Sequence, residues 1–547
     1  MKICGIKLTH DGGVAVIEDN RLKFCVEIEK VRNGFRHDPV VDFNQIKSIL
    51  HSESLDFADI NRIAIDGWCL EEQNADFRKA ELTQNGKTIA FKLAKYGNAI
   101  TKEDVLESQK YAIKELGIEY SSYMHVTGHI MGAYCTSPFV REKQSSFILI
   151  WDGGMFPQLF YLHHNENRIE PLGSLFSLNG YCYTGLAQRF PPFTGTRDED
   201  LSIAGKLMAY IALGKIDNSI QRNFRDIYNG INKNASFQTE FINRMAVWGE
   251  SHSVDPKDLL TNYHFVLSEL LLETLEQKIR QYPAYSKNLC FAGGCALNIK
   301  WNSDLRRSAD VSELWVPPFP NDSGSAIGVA CCEMVKNFGF VPLEWDVYSG
   351  PRLQSSLQLT NWERTDFDLQ QLAVLLHSSN QPIIFLNGRA ELGPRALGSR
   401  SILASPASLS MKEKLNAMKR REQYRPVAPI CLEEDATIFF DPGTPDPYML
   451  FDHKVRKAFI DVCPSVIHHD GTARLQTVNK LQNKSIYELL SHFKKVSGLP
   501  LLCNTSANFN GRGFFPDVAS AMKWDEANFI WSEGSLYFKR GASQFLD

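Results

Sequence analysis

Two histidines spaced four residues apart, His125 and His129, have a type and spacing that suggest chemistry. If this segment is helical, both imidazoles stand on one face about one turn apart, which suits two ligands of one metal ion. Further ligands must come from distant positions, and Asp152 and Asp322, each in a glycine-containing turn, are the candidates. The alternative is an accidental histidine pair, since carboxylates in such turns also cap helices or brace the turn.

A second candidate site lies in the C-terminal part of the chain, where arginines occur in apolar or turn contexts. Arg395, for example, stands inside Gly-Pro-Arg-Ala-Leu-Gly. Guanidinium forks suit bidentate recognition of phosphate, and several converging on one site would bind a polyanion such as ATP with a second phosphoryl compound. The alternative is a set of solvated arginines. The basic residues concerned are Arg389, Arg395, Arg400, Lys419, Arg421, Arg425 and Arg474.

The glycine pair Gly293-Gly294 follows a short apolar run and precedes a predicted helix. This geometry lets a helix N-terminus meet a phosphate or ribose, because backbone N–H groups approach closely where no Cβ intervenes. The alternative is an ordinary tight connection between a strand and a helix. Asn504 and Ser506, directly after another predicted strand, add small amide and hydroxyl donors of the kind that hold nucleotides.

Two stretches that begin near Ile3 and Phe147 share one layout: strand, Asp-Gly-Gly turn, strand, Asn-containing turn, strand. Such a meander opening each of two similar subdomains is typical of actin-like and sugar-kinase-like folds. Apolar spacing predicts helices over 203–213 and 263–279, and buried strands over 287–292, 382–386 and 500–503. The composition turns polar between 342 and 363, which predicts a domain boundary there.

Composition excludes several function classes. The 547 residues carry 59 Lys+Arg against 63 Asp+Glu, a net charge of -4 that gives no footprint for a general nucleic-acid binder. No apolar run approaches the ~20 residues of a membrane span, and the first residues do not predict a secretory signal. The 12 cysteines lack framework spacing and fit reduced thiols in cytoplasm. We therefore expect a cytoplasmic globular enzyme.

The blocks that carry these residues resemble, in order, those of the O-carbamoyltransferases of antibiotic and nodulation-factor biosynthesis, typified by the tobramycin and cephalosporin enzymes. The similarity extends over nearly the whole chain, and its most specific block is 388–406. The resemblance implies an α/β protein with two domains. They are an actin-like N-terminal lobe over 1–345, made of halves at about 1–140 and 145–345, and a YrdC-like domain over 355–547. The other matching blocks are 125–129, 205–208, 293–298, 421–429, 470–476 and 504–506.

The resemblance also implies an activity. The C-terminal domain is expected to join carbamoyl phosphate to ATP as carbamoyl-adenylate, with Arg395 as a catalytic residue. The N-terminal domain would transfer the carbamoyl group to a hydroxyl of a small natural-product acceptor, which His10 would deprotonate. The residues expected to hold carbamoyl phosphate and ATP are Arg395, Lys419, Arg421, Arg425, Arg474, Asn504 and Ser506.

The expected cofactors are ATP with Mg²⁺ and one divalent metal, which the resemblance implies is Fe²⁺. His125, His129, Asp152 and Asp322 would hold that metal. Arg36 occupies the place nearest to a lysine that contacts the adenylate in the family, although the surrounding run differs from the usual one. The expected adenylate contacts in the N-terminal domain are Arg36, Gly153, Gly293, Gly294 and Asn298.

Two alternatives remain open. One is carbamoylation of a macromolecule, a tRNA or a protein, by the same adenylate chemistry; a charge of -4 without a basic arm argues against tRNA. The other is a catalytically silent nucleotide-binding protein, which the intact arginine set and histidine pair argue against. The expected partners are ATP, carbamoyl phosphate and a small hydroxyl-bearing acceptor, without nucleic acid or membrane, and a homodimer is kept as an option. Segments 70–107 and 191–200, which match no family block, are expected to shape the acceptor pocket.

Overall fold

In the computed structural model, which describes residues 1–68, 79–98, 100, 104–196, 200–355 and 361–546, each predicted meander opens a β-sheet. The strands of the first stretch are β1 (Lys2–Lys7), β2 (Gly13–Glu18), β3 (Arg21–Glu27), β4 (Arg62–Asp66), β5 (Lys79–Gln84), β6 (Lys87–Lys92), β7 (Ser108–Ile113) and β8 (Ile118–Tyr123). Six form a sheet in the order β3-β2-β1-β4-β8-β7, and β5 pairs with β6 separately. β4 is parallel to both β1 and β8.

The second sheet repeats this arrangement. Its strands are β9 (Ser146–Ile150), β10 (Gln158–His163), β11 (Arg168–Ser174), β12 (Leu289–Ala292) and β13 (Leu314–Trp315), in the order β11-β10-β9-β12-β13. β10 is antiparallel to β9 and β11, whereas β12 is parallel to β9 and β13. A meander flanked by two parallel strands therefore occurs twice. This duplication confirms the predicted α/β class with two actin-like halves.

Helices fill the connections of this part of the chain. They are α1 (Glu29–Arg32), α2 (Phe43–Ser52), α3 (His125–Thr136), α4 (Pro138–Arg141), α5 (Tyr181–Ala187), α6 (Ser202–Tyr210), α7 (Asn218–Gly230), α8 (Phe237–Ser251), α9 (Pro256–Arg280), α10 (Ile299–Arg307) and α11 (Ser325–Phe338). α9 begins earlier than the predicted residue 263, because Asp255 caps it by accepting a hydrogen bond from the Lys257 N–H. The helix predicted over 203–213 ends as a 3₁₀ turn at Ile211–Leu213.

Glycines allow α3 and α11 to pack unusually closely. A Cβ on Gly328 of α11 would lie 2.0 Å from the carbonyl oxygen of Gly128 on α3, and Gly132 faces Gly328 as well. Only residues without a side chain permit this approach of the two backbones. It brings the first turn of α3, with His125, next to the turn Asp322–Gly324 that precedes α11.

The C-terminal part forms a larger sheet. Its strands are β14 (Trp362–Asp366), β15 (Ile383–Leu386), β16 (Arg400–Ala404), β17 (Ala428–Leu432), β18 (Phe440–Asp441), β19 (His453–Val455), β20 (Thr472–Ala473), β21 (Gln476–Val478), β22 (Leu501–Ser506), β23 (Phe529–Ser532) and β24 (Ser535–Lys539). Eight are ordered β14-β24-β23-β15-β16-β22-β17-β21, and β18, β19 and β20 form a small sheet. The helices are α12 (Leu369–Ser378), α13 (Leu409–Met418), α14 (Ala436–Phe439), α15 (Lys484–Ser497) and α16 (Val518–Trp524).

This larger sheet is covered on both faces. Ile384 and Leu386 of β15 belong to one hydrophobic core, while Ile383 and Phe385 belong to another. Alternate residues of a strand point to opposite faces, so both faces of β15 are apolar. This explains why the strand reads as an uninterrupted apolar run rather than an alternating one.

The chain divides into two compact units. The first comprises Met1–Leu8, Ala15–Arg21 and Val41–Glu344, and the second comprises Thr9–Val14, Leu22–Val40 and Trp345–Asp547. Two short N-terminal segments thus cluster with the C-terminal region, which the sequence does not predict. Across the described ranges, no helix has the length and apolar character needed to cross a membrane.

Candidate functional site

The first unit brings the four predicted metal ligands together. One donor atom from each of His125, His129, Asp152 and Asp322 lies within 4.8 Å of the others, and all four residues are buried. The Nε2 atoms of the two histidines are 3.1 Å apart, and the Asp322 Oδ1 lies 3.3 Å from one and 3.6 Å from the other. Two imidazole and two carboxylate donors suit a divalent first-row transition ion, so these residues fit the expected metal.

Asp66, at the end of β4, fixes the orientation of the His125 ring. Its Oδ2 lies 2.8 Å from Nδ1 of His125, and a carboxylate can only accept there, so Nδ1 carries the proton and Nε2 faces the cluster. Lys7 donates to the same carboxylate at 2.8 Å and lies 3.0 Å from Asp322. Burial opposes ionisation of His125, but the carboxylates of Asp66 and Asp322 outweigh this and raise its pKa. The carboxylates around His125 therefore favour a positive charge at this position.

Asp152, two residues after the end of β9, is held by two donors. The Tyr96 hydroxyl donates to Oδ2 at 2.6 Å, and the Gly294 N–H donates to Oδ1 at 2.6 Å. Burial and the charge of Asp322 would raise its pKa, but the neighbouring imidazoles lower the pKa below its ordinary value. The carboxylate is therefore ionised and fixed towards the histidines.

The glycine turn that precedes α10 supports this carboxylate. Gly293 has a φ of 92°, and a Cβ there would lie 2.3 Å from the carbonyl oxygen of Trp151. Gly153 packs against the ring of Tyr181, where a Cβ would lie 3.0 Å from it. Asn298 caps α10 by accepting hydrogen bonds from the N–H groups of Lys300 and Trp301. The turn geometry and the cap are structural observations; the adenylate contacts assigned to these residues stay predictions.

The second unit positions the predicted cations through strand directions. β22 is antiparallel to β16 and β17, while β21 is parallel to β17. The starts of β16, β17 and β21 therefore lie at one edge of the sheet with the end of β22. The loops at that edge carry Arg395 before β16, Arg421 and Arg425 before β17, and Arg474 before β21.

These cations lower one another's pKa. Burial lowers the pKa of Arg395 most, and the charges of Arg474, Arg36 and Arg425 lower it further. Burial and the charges of Arg425 and Arg474 lower the pKa of Arg421 to about 9. Because arginine does not lose its proton in proteins, these residues form a local excess of positive charge. Asp446, a buried carboxylate, opposes the lowering at Arg395 and Arg474.

Small polar groups complete this cluster. Lys419 is buried and donates to the carbonyl oxygens of Ser506 and Asn508, each at 2.7 Å. Asn504 donates from Nδ2 to the Ala396 carbonyl oxygen at 3.0 Å, whereas its buried Oδ1 has no hydrogen-bond partner within the described chain. The Nε of Arg474 likewise has none there. A buried acceptor and a buried donor thus remain for a ligand.

Arg400, a sequence candidate for phosphate binding, has a different role. Its side chain is buried and donates to the backbone carbonyl oxygens of Asn387, Gly388 and Ser399 at 2.9–3.0 Å. Arg389 similarly donates to the Gly350 carbonyl oxygen at 2.6 Å. Arg400 therefore holds the loop that carries Arg395.

His10 lies in the second unit, next to a shared carboxylate. Its Nδ1 is 3.0 Å from Asp11 Oδ2, and the Nδ1 of His37 is 2.8 Å from Asp11 Oδ1. Asp11 has a φ of 55°, in the turn between β1 and β2. Burial raises the pKa of Asp11, but the two imidazoles outweigh this and lower it to about 2. The role of His10 as a base stays a prediction.

Sequence reasoning missed three residues that orient these groups: Asp66, Tyr96 and Asp446. Asp66 is a charged residue that ends the apolar run Ile63-Ala64-Ile65, which is a usable signal. The others come from turns or from distant segments, where the sequence carries no periodic pattern. In the segments expected to shape the acceptor pocket, residues 70–78, 99, 101–103 and 197–199 lie outside the described residues.

Two known families match the regions that hold these two sites. A family described as the carbamoyltransferase N-terminus matches residues 2–331, and one described as the carbamoyltransferase C-terminus matches residues 374–530. The chain belongs to the carbamoyltransferase family. This carbamoyltransferase is 45% identical to nodulation protein U of Bradyrhizobium diazoefficiens, over 98% of this chain and 97% of that protein.

Two further relatives cover the carbamoyltransferase from end to end. Nodulation protein U of Sinorhizobium fredii is 42% identical over 99% of this chain and 100% of its own length. The 3'-hydroxymethylcephem-O-carbamoyltransferase of Streptomyces clavuligerus is 31% identical over 99% of each chain. The family assignment agrees with the resemblance that the sequence blocks indicate.

Proposed function

We propose that this carbamoyltransferase first makes carbamoyl-adenylate and then transfers the carbamoyl group to a hydroxyl of a small natural-product acceptor. In the first step, water hydrolyses carbamoyl phosphate to carbamate and phosphate. A carbamate oxygen then attacks the α-phosphorus of ATP, supplied with Mg²⁺, and pyrophosphate leaves. In the second step, the acceptor oxygen attacks the carbamoyl carbon and AMP leaves, while the hydroxyl proton goes to a base.

The cation cluster of the second unit carries the first step. Burial is the first cause that lowers the pKa of five cations: Arg395, Lys419, Arg421, Arg425 and Arg474. The charge of another of these cations lowers the pKa further at each position except Arg425, where the charge of Arg36 does so. Asp446 and Glu422 oppose the lowering at some positions. Buried like charges are unfavourable unless an opposite charge compensates them. A triphosphate and a carbamoyl phosphate supply that charge, and fixed cations stabilise charge that develops on transferring phosphoryl groups.

Asn504 and Ser506 fit the carbamoyl end of the substrate. Carbamoyl phosphate carries an amide NH₂ beside its phosphate, and the buried Oδ1 of Asn504 is an acceptor for such a group. The Ser506 hydroxyl is held by donation to Asn508 Oδ1 at 2.7 Å, which leaves its oxygen able to accept a further hydrogen bond. This pairing of an acceptor with cations distinguishes carbamoyl phosphate from phosphate alone.

The four-ligand cluster of the first unit carries the second step. A divalent ion bound there, for which we propose Fe²⁺, would polarise the carbamoyl carbonyl. Asp66 holds His125, while Tyr96 and the Gly294 N–H hold Asp152, so the donors keep their positions. We propose that the turn glycines 153, 293 and 294, with Asn298, contact the adenylate.

We propose His10 as the base for the acceptor hydroxyl. Asp11 orients the His10 ring through Nδ1, and histidine is the side chain that most often takes a proton in general base catalysis. The acceptor class follows from the relatives, one of which is named for a hydroxymethyl group on a cephem. A small hydroxyl-bearing natural product is therefore the proposed acceptor.

Pyrophosphate release from ATP tests the first step. The enzyme is incubated with Mg²⁺-ATP with and without carbamoyl phosphate, and we expect release only when both are present. Arg395→Ala should lower the rate at least about 10²-fold. Arg540→Ala is the matched control, because Arg540 is an exposed arginine of the same unit. No release by the wild type, or release that Arg395→Ala leaves unchanged, would refute the adenylation step.

Transfer is assayed with radiolabelled carbamoyl phosphate and a panel of hydroxyl compounds that includes 3'-hydroxymethylcephem. Product formation that needs ATP and a bound metal supports the second step. We expect His125→Ala to form no carbamoylated product. His252→Ala is its matched control, because His252 is an exposed histidine stacked on Trp248.

A further inference from the structure

An N-terminal loop, residues 33–36, pairs with the C-terminal loop 511–513 inside the second unit. The Arg36 N–H donates to the Gly511 carbonyl oxygen at 3.0 Å, and the Gly513 N–H donates to the Gly34 carbonyl oxygen at 3.0 Å. Phe35 and Arg512 form an antiparallel bridge between these bonds. The backbone of Arg36 is therefore fixed to a loop that follows β22.

The same C-terminal loop contacts the cation cluster. Asn508 donates from its side-chain amide to the Arg512 carbonyl oxygen, and its own carbonyl oxygen accepts from Lys419 at 2.7 Å. Gly513 packs so tightly on the N-terminal segment that a Cβ there would lie 1.9 Å from the Glu29 carbonyl oxygen. Continuous contacts thus connect Arg36 to Lys419 through loop 508–513.

Lys30 connects the same N-terminal segment to the Arg395 loop. Its buried Nζ donates to the carbonyl oxygens of Glu391 and Gly393 at 2.6 Å and 2.7 Å, and to Glu27 Oε1 at 2.7 Å. Glu27 Oε1 in turn accepts from the Gly393 N–H at 2.9 Å. The segment that carries Arg36 is therefore anchored at two separate loops of the cation cluster.

Arg36 carries an exposed charge beside that cluster. Burial lowers the pKa of Lys419 most, and the charges of Arg421, Arg36 and Arg425 lower it further. The Arg36 charge also lowers the pKa of Arg395 and Arg425. Among the residues that the structure describes, no carboxylate forms an ion pair with its guanidinium, so the charge remains available to an anion.

We propose that Arg36 binds a phosphate group of the substrates in the second unit, so that the adenylation site is built from both ends of the sequence. This inference rests on the proposed function and adds a residue to its first step. It differs from the adenylate contact that the resemblance assigns to Arg36, because it makes Arg36 necessary for pyrophosphate release rather than for transfer alone.

The test compares Arg36→Ala, Arg36→Lys and Arg32→Ala in the full-length enzyme. Arg32, four residues earlier, is also an exposed arginine of this segment and serves as the control. Inorganic pyrophosphate is the calorimetric probe, and pyrophosphate release is measured over a range of ATP concentrations. We expect Arg36→Ala to weaken pyrophosphate binding about tenfold and to raise the KM for ATP, as for loss of one charge-assisted hydrogen bond. Arg36→Lys should recover part of this, and Arg32→Ala should match the wild type.

The outcomes are distinguishable. If the wild type releases no pyrophosphate from ATP and carbamoyl phosphate, the proposed function fails and this inference fails with it. If the wild type is active, and Arg36→Ala both binds added pyrophosphate and releases pyrophosphate from ATP as the wild type does, this inference alone is overturned. Loss of transfer with normal pyrophosphate release would also overturn it, in favour of the adenylate contact.

Discussion

Asp66 Oδ2 lies 2.8 Å from Nδ1 of His125, and both side chains are fully buried. Asp66 ends β4 and His125 begins α3, so two elements of the first unit hold the imidazole of one proposed metal ligand in one tautomer. Such a carboxylate behind a histidine ligand orients the ring and raises its basicity. Replacing Asp66 therefore changes the orientation and basicity of the His125 ring without removing the ring.

We expect Asp66→Asn to lower metal affinity by about 10- to 100-fold. The amide weakens the hydrogen bond to His125 and removes a negative charge, while Lys7 keeps its contact with Asp322. Transfer should fall accordingly, whereas pyrophosphate release should not. Titration of the metal-free protein with Fe²⁺ or Mn²⁺ measures the affinity. Unchanged affinity for both ions would contradict the orienting role of Asp66.

Lys30 should be essential for the loop that carries Arg395. Lys30→Met leaves Glu27 and two carbonyl oxygens without their buried donor, which costs about 3–5 kcal/mol of unfolding free energy. Urea unfolding measures this, and pyrophosphate release should fall in parallel. The double variant with Glu27→Gln should lose less than the sum of the singles, because the two residues are coupled. Lys484→Met, at an exposed site, should have little effect; a similar loss there would contradict the prediction.

The predictions from sequence succeeded where the signal is local. Apolar periodicity and turn residues within short windows predict the two meanders, the helix with His125 and His129, and the strand that carries Asn504. The four residues predicted as metal ligands lie together, because the helix and the glycine turns each place their own side chain. That these residues bind a metal stays a prediction. What positions these ligands, such as the contact of Lys7 with Asp66 and Asp322, joins residues far apart in sequence and leaves no periodic signal.

The division of the chain into two units also depends on contacts between residues far apart in sequence. A polar stretch near residue 350 predicts a boundary, and the long segment of the second unit begins at Trp345. The segment 22–40 clusters with that unit because buried contacts such as Lys30 with Gly393 hold it there. A lysine in an N-terminal stretch gives no sign of a partner more than three hundred residues away.

Gly293→Ala should destabilise the first unit by roughly 1–3 kcal/mol, because it combines a positive φ with a Cβ 2.3 Å from a carbonyl oxygen. The displaced Asp152 should weaken metal binding as well. Thermal unfolding and metal titration measure the two effects. Gly230→Ala is the control, because Gly230 ends α7 with open space around its Cα and should be neutral or slightly stabilising. Equal effects of the two variants would count against the argument.

His37 should make stability fall as pH rises. Burial lowers its pKa, but the hydrogen bond and charge of Asp11 outweigh burial and raise the pKa above the ordinary 6.5. The stabilisation from this pair is therefore complete below pH 6.5 and is lost as pH rises through the higher folded-state pKa. Urea midpoints at pH 5.5, 7 and 8.5 should decrease more in the wild type than in His37→Gln. An equal decrease of the urea midpoint with pH in the two proteins would refute this.

We propose that adenylation and transfer occur at different sites, adenylation at the cation cluster and transfer at the cluster of His125, His129, Asp152 and Asp322. The most direct test is the rate of pyrophosphate release from Mg²⁺-ATP and carbamoyl phosphate, without acceptor, in His125→Ala and Arg395→Ala. We predict that His125→Ala releases pyrophosphate at the wild-type rate while forming no carbamoylated product, and that Arg395→Ala releases almost none. Equal loss of pyrophosphate release in both variants would contradict the division into two sites.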